Sequence, residues 1–218
     1  MKILRKLLLT LVIFSLVFVS IASCGADVDE AEVIASAESL IKKADIIEDI
    51  IYGKGITPSH SGMGAYKEAD VTHIKEYESL LGEKFETVED LQTIVIKTYT
   101  SGFASDILSG VLSGDLERGT RYYQEKETVM VYEVYKVMKT DEIEYHYDTL
   151  KLKETRGSKT VVVSLDVTIT NSEEKTQKRN VEITLKNESG AWKLDAPAYA
   201  VYSDKYQDYN DLLEEMRK

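Results

Sequence analysis

The pattern of hydrophobic and polar residues changes once along the chain, from a helical period in the first half to a period of two in the second. The clearest helical stripe lies within residues 30–52, where apolar residues recur three or four positions apart: Val33, Ala37, Leu40, Ala44, Ile47 and Ile51. This spacing places the side chains on one face of an α-helix. Gly53 follows the stripe and is a typical helix terminator. The pattern therefore predicts a long amphipathic helix over residues 30–52.

The segment after this helix has no single interpretation. Glycine, serine and proline lie close together in residues 54–65, which predicts an irregular loop. Residues 66–81 fit either a strand around residues 66–74 or a helix around residues 73–81. Both alternatives stay open on sequence grounds.

Two further helices are predicted before the period changes. Thr87 supplies a hydroxyl at a helix N-cap and Asp90 a carboxylate three residues later, a pairing typical of a capping box. Behind it, one helical face is formed by Leu91, Ile94, Val95 and Thr98. After an interruption at residues 100–102, a short helix is predicted over residues 103–112.

From residue 121 the apolar positions alternate with polar ones, which predicts strands. The predicted strands are residues 129–138, 143–152, 161–169, 181–185 and 191–196. Residues 171–180 are polar and predict a turn, and short connections of this kind are typical of an antiparallel meander. A last helix is predicted over about residues 203–217. Helices followed by strands predict an α+β fold in which a curved antiparallel sheet of four to five strands is followed by a C-terminal helix.

The first residues predict export and lipid attachment. Lys2, Arg5 and Lys6 precede an apolar run over residues 7–21, which is the pattern of a secretory signal. Ile21-Ala22-Ser23-Cys24 then resembles the bacterial lipobox, in which the cysteine thiol takes a diacylglycerol group. Cys24 is the only cysteine of the 218 residues, and a single cysteine in an exported chain needs a use. A plain membrane anchor is the alternative interpretation.

This interpretation divides the chain into a signal peptide over residues 1–23, a lipidated tether over residues 24–32 and a single α+β domain over residues 33–218. Acyl chains on Cys24 would hold the protein at the extracytoplasmic face of the cell membrane. Residues 1–23 carry three basic and no acidic residues, so their removal changes the formal net charge from −11 to −14. Such a charge argues against a nucleic-acid partner, because phosphates bind basic surfaces. The oligomeric state is not predicted.

Catalytic chemistry is not indicated by the sequence. His60, His73 and His146 are not spaced with other ligands as a metal site requires. His146 alternates with tyrosines and is expected on the polar face of its strand, although an acid/base role remains an alternative. Lipid on Cys24 would remove the only candidate thiol nucleophile. No cofactor is therefore expected, and the protein is not expected to be an enzyme.

Tyrosines are the most unusual feature of the composition, with 14 tyrosines against 4 phenylalanines. Tyrosine suits surfaces that are partly apolar and partly wet, which includes binding surfaces. The candidate partner surface is the C-terminal group Tyr199, Tyr202, Tyr206 and Tyr209. The strand tyrosines are instead expected to pack under helices, with their hydroxyls at the rim; they are Tyr132, Tyr135, Tyr145 and Tyr147.

The chain resembles two related kinds of protein. Gly190-Ala191-Trp192-Lys193-Leu194 is similar to the last strand of NTF2-like proteins, and helices followed by a curved sheet are similar to the NTF2-like and cystatin-like folds. The order of segments over about residues 30–200 resembles that of the IseA-type inhibitors of cell-wall DL-endopeptidases and their lipoprotein relatives in Gram-positive bacteria. These segments are Tyr52-Gly53, residues 85–91, Tyr99-Thr100, Arg121-Tyr122-Tyr123 and residues 192–199.

The resemblance implies a non-catalytic domain that docks on a peptidoglycan hydrolase and restrains it. The expected partners are thus the membrane, through the lipid on Cys24, and a cell-wall hydrolase. The alternative is an NTF2-like small-ligand-binding protein or enzyme at the cell envelope, which requires an open pocket on the concave face of the sheet.

Overall fold

The computed structural model of the protein describes residues 28–60, 64–112, 120–132 and 141–196. It combines helices with two antiparallel sheets, and this confirms the α+β class. In chain order the elements are α1 (Glu30–Tyr52), β1 (Tyr66–Glu68), α2 (Val71–Leu81), α3 (Val88–Thr98), α4 (Ser101–Ile107) with a π-helical turn (Leu108–Leu112), β2 (Tyr122–Glu125), β3 (Thr128–Tyr132), β4 (Glu142–Arg156), β5 (Thr160–Thr170), β6 (Thr176–Glu188) and β7 (Ala191–Leu194).

The predicted long helix is confirmed as α1. The Asp29 carboxylate accepts hydrogen bonds from the N–H groups of Ala31 at 2.9 Å and Glu32 at 3.2 Å, which satisfies N–H groups that a helix start leaves without a partner. The helix ends at Gly53, whose N–H donates to the carbonyl oxygens of Glu48 and Asp49. Residues 30–32, expected in the tether, belong to this helix.

The segment with two interpretations contains both elements: the strand is shorter than expected, and the helix begins two residues earlier. Residues 66–68 form β1, and α2 follows directly from an N-cap at Asp70, which accepts from the N–H of Thr72 at 2.8 Å. Gly82 ends α2 in the left-handed conformation at φ +63°. A strand and a helix follow one another here within sixteen residues, so each is too short to give a clear hydrophobic period.

The predicted capping box is confirmed at the start of α3. The N–H of Asp90 donates to the Thr87 hydroxyl at 3.1 Å, and the Asp90 carboxylate accepts from the N–H of Thr87 at 2.9 Å. The next helix differs from its prediction, because α4 begins at Ser101 and includes Gly102. Its continuation over residues 108–112 is a π-helical turn.

The strands form two sheets, whereas a single antiparallel sheet of four to five strands was predicted; four of the predicted strands share one sheet, and the strand predicted over residues 129–138 belongs to the other. A small sheet has the strand order β1-β3-β2, and a larger sheet has the order β4-β5-β6-β7. The strand predicted over residues 129–138 contributes β3 to the small sheet, and residues 133–140 lie outside the described residues. Strand β2 was not predicted, since four residues are too few for a clear period.

The larger sheet is the expected antiparallel meander, in which β4, β5 and β6 are longer than predicted and β7 ends two residues earlier, at Leu194. Strand β6 begins at Thr176, so the polar segment over residues 171–180 is a turn only as far as Lys175. Its first residues, Thr176 to Asn180, pair with β5 although they carry no apolar side chain. The start of β6 was predicted too late because backbone pairing, rather than burial of apolar side chains, extends this end of the strand.

The core lies between the helices and the inward face of the larger sheet. Helix α1 contacts both edge strands, β4 and β7. The inward side chains of the central strands are buried: Val161, Val163, Leu165, Val167, Val181, Ile183 and Leu185. Leu194 is also fully buried, whereas Trp192 is half-buried against the same core. Burial on this scale is the main stabilisation of such a fold.

The helix predicted over about residues 203–217 lies outside the described residues. Among the helices that the structure describes, each is too short or too polar to span a lipid bilayer.

Candidate functional site

The C-terminal end of α1 is closed by two residues of a distant segment. The buried Arg121 guanidinium donates to the carbonyl oxygens of Ile51 and Gly53, the latter at 2.7 Å. The Tyr122 hydroxyl donates to the carbonyl of Ile50 at 2.7 Å and accepts from the N–H of Ile56 at 3.0 Å. A cation is favourable here because the last carbonyls of a helix carry partial negative charge.

Two further tyrosines reach the same turn of α1 from other helices. The Tyr99 hydroxyl donates to the buried Glu48 carboxylate at 3.0 Å, and the Tyr77 hydroxyl donates to Asp49 at 2.6 Å. Burial and the hydrogen bond to Asp49 raise the pKa of Tyr77 well above its ordinary value. Tyr77 therefore stays a protonated donor at neutral pH, and the two hydroxyls fix the helix end against α2 and the end of α3.

Four of the five segments on which the family resemblance rests contact one another in pairs in this interior. Tyr52-Gly53 and Arg121-Tyr122 meet at the end of α1. The N–H of Thr100 donates to the carbonyl of Leu194 at 2.8 Å. The side chains and backbone groups that make these contacts hold the fold together, so a docking surface has to be sought on other residues.

The outward face of the small sheet carries a group of aromatic residues. We define the tyrosine face as Tyr66, Tyr123, Met130 and Tyr132. Val129 and Val131 pack in the core, and because side chains alternate along a strand, Met130 and Tyr132 lie on the opposite face of β3. Met130 is itself buried on that face, whereas Tyr132 is half-buried. The turn at Lys126–Glu127, in which Lys126 has φ +55°, returns the chain so that Tyr123 pairs with Met130.

The rings of the tyrosine face contact one another. Tyr66 and Tyr123 lie edge to face with their ring centroids 4.8 Å apart, and Tyr66 and Tyr132 are 5.0 Å apart. The Tyr66 hydroxyl donates to the carbonyl of Thr120 at 3.0 Å, which holds the central ring in place. All three tyrosines remain partly exposed. Such rigid, half-exposed rings bind a partner with little loss of conformational entropy.

Three exposed carboxylates border a groove at the tyrosine face. The groove has a volume of about 720 Å³, and Glu68, Glu125 and Glu127 line it together with a single lysine, Lys126. Partial burial and the nearby Glu125 carboxylate raise the pKa of Tyr123. The face therefore offers aromatic rings inside an acidic border, which is complementary to a partner with a basic surface.

The residues predicted for lipidation and for the partner surface lie outside the described residues: Cys24, Tyr199, Tyr202, Tyr206 and Tyr209. Of the strand tyrosines expected to pack under helices, Tyr145 and Tyr147 are half-buried near α1, and the Tyr145 hydroxyl donates to Asp45 at 3.3 Å. Tyr132 differs, because it belongs to the tyrosine face. Tyr135 also lies outside the described residues.

The histidines are separate from one another. His60 is exposed, whereas His73 accepts from the N–H of Thr57 at 2.8 Å and stacks on Tyr77. His146 lies on the polar face of its strand as predicted, but it is half-buried and hydrogen-bonded to Thr168. Over the described ranges, no three His, Cys, Asp or Glu side chains come together as metal ligands would.

The tyrosine face was not predicted, because β2 was not identified as a strand. The alternation of Tyr123 and Glu125 before a turn, and of Thr128, Met130 and Tyr132 after it, is the hairpin signal that could have found β2 and its pairing with β3. Tyr66 lay in the segment with two interpretations. Its contact with Tyr132 joins positions far apart in the sequence, and only the sheet pairing reveals it.

No protein-family model matches the chain, and no curated protein matches it either. The resemblance to IseA-type inhibitors therefore stays a prediction from the order of segments.

Proposed function

We propose that the protein is a membrane-anchored extracytoplasmic lipoprotein with a non-catalytic domain that docks on a basic protein partner through the tyrosine face. The observation that carries this proposal is the groove in which Tyr66 and Tyr123 lie edge to face inside a border of three glutamates. Tyrosine is enriched at protein interfaces, and charges at a rim mainly increase the rate of association.

The net charge supports a basic partner. The whole chain carries −11, and the border of the groove is itself acidic. Long-range attraction between opposite charges speeds encounter and is screened by salt. The rings would then supply the short-range contact area, since tyrosine side chains are frequent centres of binding energy.

The partner class that we propose is a peptidoglycan DL-endopeptidase, which the domain would inhibit. The order of segments, with its resemblance to IseA-type inhibitors, supports this class. The finer fold assignment is part of the same proposal. A long helix lying on a four-stranded antiparallel meander supports an NTF2-like or cystatin-like arrangement.

A small-ligand site on the inward face of the sheet is less favoured. That face is covered by α1, and inward side chains such as Val163, Leu165 and Leu185 are fully buried. An NTF2-like enzyme or binding protein needs an open cone there, whereas close packing of aliphatic side chains leaves little space for a ligand.

Two measurements test the proposal separately. Mass spectrometry of the membrane-extracted protein should show an N-terminal peptide that begins at Cys24 and carries a diacylglycerol group, and Cys24→Ala should abolish both the lipid and membrane association. Unmodified Cys24 in the native protein would contradict the anchor.

For docking, the detergent-solubilised full-length protein should inhibit a purified DL-endopeptidase of the same organism at equimolar concentration, less strongly as salt is raised. If a stoichiometric excess left each of that organism's wall endopeptidases fully active and unbound, the proposed partner class would be wrong.

A further inference from the structure

The outward face of the larger sheet holds a second cavity, at a break in the pairing of β4 with β5. His146 pairs with Asp166, and the next pair is Lys151 with Ser164. Four residues of β4, 147–150, therefore stand opposite the single residue Leu165. Bulges of this kind bend a strand and redirect its side chains, and they are frequent at binding sites.

Thr149 holds this bulge in one conformation. Its hydroxyl donates to the carbonyl of His146 at 2.7 Å and accepts from the N–H of Asp166 at 2.8 Å. The hydroxyl thus satisfies one backbone C=O group and one backbone N–H group that the register shift prevents from pairing with each other. These two hydrogen bonds hold the bulge in a defined conformation.

A cavity of about 380 Å³ opens at the bulge on the outward face. His146, Asp166 and Asn180 form one row across β4, β5 and β6, and Thr168 and Lys178 form part of the next row. This volume falls in the range of small-molecule sites.

Hydrogen bonds orient two of the lining side chains. His146 Nε2 lies 2.7 Å from the Thr168 hydroxyl, and the Asn180 amide donates to Asp166 Oδ1 at 2.7 Å. The second carboxylate oxygen of Asp166 accepts no hydrogen bond within the described part of the chain, and it remains available to a ligand.

Opposite charges face this cavity without pairing. Among the described residues, Lys178, Asp148 and Asp166 each have no ion pair, although all three line the cavity. Nearby exposed lysines do pair, as in Lys153 with Glu182, Lys175 with Glu173, and Lys186 with Asp195. The cavity lining therefore carries one ammonium group and two carboxylates without an ion pair among the described residues, together with Arg179, whose guanidinium donates to Gln177.

We propose that this cavity binds a zwitterionic ligand of the amino-acid type, either a free amino acid or a short peptide. Asp166 and Asp148 receive the ligand's ammonium group, Lys178 binds its carboxylate, and the His146–Thr168 pair supplies a further polar contact. Charge-assisted hydrogen bonds are the strong ones and select for complementary charge. The site lies on a different sheet from the tyrosine face, so it is independent of the proposed docking function.

The test uses the detergent-solubilised full-length protein and isothermal titration with four probes. Alanine and alanyl-alanine carry both charges, N-acetylalanine lacks the ammonium, and alaninamide lacks the carboxylate. We expect saturable binding of at least one zwitterion and at least tenfold weaker binding of both single-charge probes. The preference between alanine and alanyl-alanine distinguishes a free amino acid from a peptide.

Variants locate the site. Asp166→Asn and Lys178→Gln should each weaken binding of the preferred zwitterion at least tenfold. Glu173→Gln and Lys175→Gln change charge by the same amounts at the turn between β5 and β6, outside the cavity lining, and should leave binding unchanged. The side chains of Asp166 and Lys178 are exposed, so neither substitution should unfold the protein. The thermal midpoint of each variant checks that it is folded.

Three results would overturn the proposal. The first is no saturable binding of either zwitterion up to about 50 mM, well above millimolar affinity. The second is equal binding of N-acetylalanine or alaninamide, which would exclude a requirement for both charges. The third is undiminished binding by folded Asp166→Asn and Lys178→Gln, which would place the ligand elsewhere.

Discussion

Gly55 lies against Arg121 so closely that a Cβ atom on Gly55 would be 2.1 Å from Nη2 of Arg121. Gly55 also has φ +66°, a conformation that side chains disfavour. The guanidinium can reach the end of α1 only because this position has no side chain. The loop after α1 and the start of β2 are thus constrained by one another.

Replacing Gly55 by alanine should lower the free energy of unfolding by about 2–4 kcal/mol, as the sum of conformational strain and overpacking. Urea unfolding measures this change. Gly82→Ala is the matched control, because Gly82 has φ +63° and nothing within 4 Å of an added Cβ. The control should lose only about 1 kcal/mol, and equal losses in both variants would contradict the steric argument.

Tyr122→Phe should lower the free energy of unfolding by about 1–3 kcal/mol, because the buried Ile56 N–H loses its acceptor and the Ile50 carbonyl loses a donor. Tyr147→Phe should change it by less than about 0.5 kcal/mol. No hydrogen bond from the Tyr147 hydroxyl occurs in the part of the chain described. Similar losses from the two substitutions would show that Tyr122 acts by packing alone.

Glu83 joins α1 and α3 through Lys43 and Lys97, the latter at 2.8 Å. Burial acts to raise the pKa of Glu83, but the hydrogen bonds from the two lysines outweigh it and lower the pKa below its ordinary value of 4.5. A lowered pKa stabilises the folded state above the pKa of the unfolded chain, and this contribution disappears as the pH falls through the folded pKa.

Glu83→Gln should therefore be less stable than the native protein by about 1 kcal/mol at pH 7. The difference should shrink below about pH 4.5, as thermal midpoints measured over a pH series would show. Glu173→Gln alters an exposed pair with Lys175 and serves as the control with little effect at any pH. A difference for Glu83→Gln that is constant from pH 7 to pH 3 would exclude the linkage.

The tyrosine face predicts different kinetic effects for its charges and its rings. Neutralising Glu68 and Glu125 together should slow association with the wall hydrolase and reduce its salt dependence, with little change in dissociation. Tyr123→Ala should instead speed dissociation at least tenfold, as expected for a central interface residue. Surface plasmon resonance separates the two rates.

The control for these interface variants is Glu173→Gln with Glu174→Gln, which removes two charges at the β5–β6 turn of the other sheet. If long-range attraction alone governed association, both double variants would associate with the hydrolase equally slowly. That result would place the docking surface away from the tyrosine face.

Thr149→Val should lower the free energy of unfolding by about 1–3 kcal/mol, since the Asp166 N–H loses its acceptor while the side-chain shape is kept. Thr184→Val makes the same chemical change on β6, where the hydroxyl has no hydrogen bond among the described residues, and should be close to neutral. Hydrogen exchange at the Asp166 amide offers a second measurement, and faster exchange in Thr149→Val is expected.

Local features of the fold were predictable where a single element supplies its own signal. The apolar stripe and Gly53 predicted α1, and the pair Thr87 and Asp90 predicted the start of α3. Alternation predicted β5. Each of these signals arises from neighbours within one or two turns or along one strand, so the sequence displays it directly.

The division into two sheets and both candidate sites were not predictable in this way. Alternation shows that Val129 and Val131 face a core, but it does not say which strands they pair with. The tyrosine face depends on Tyr66 pairing with Tyr132. The cavity depends on a register shift opposite Leu165. Both are properties of long-range pairing, for which hydrophobic periodicity carries no information.

The length of α1 would determine how far from the membrane surface the tyrosine face lies. With the lipid on Cys24 as proposed, the five residue steps to Asp29 reach at most about 18 Å. Helix α1 has 23 residues and is about 35 Å long. Because Arg121 and Tyr122 bind its far end, the small sheet is attached at the end of this rod opposite the anchor. The tyrosine face would thus meet its partner within about 50 Å of the bilayer, and the length of helix α1 accounts for most of that distance.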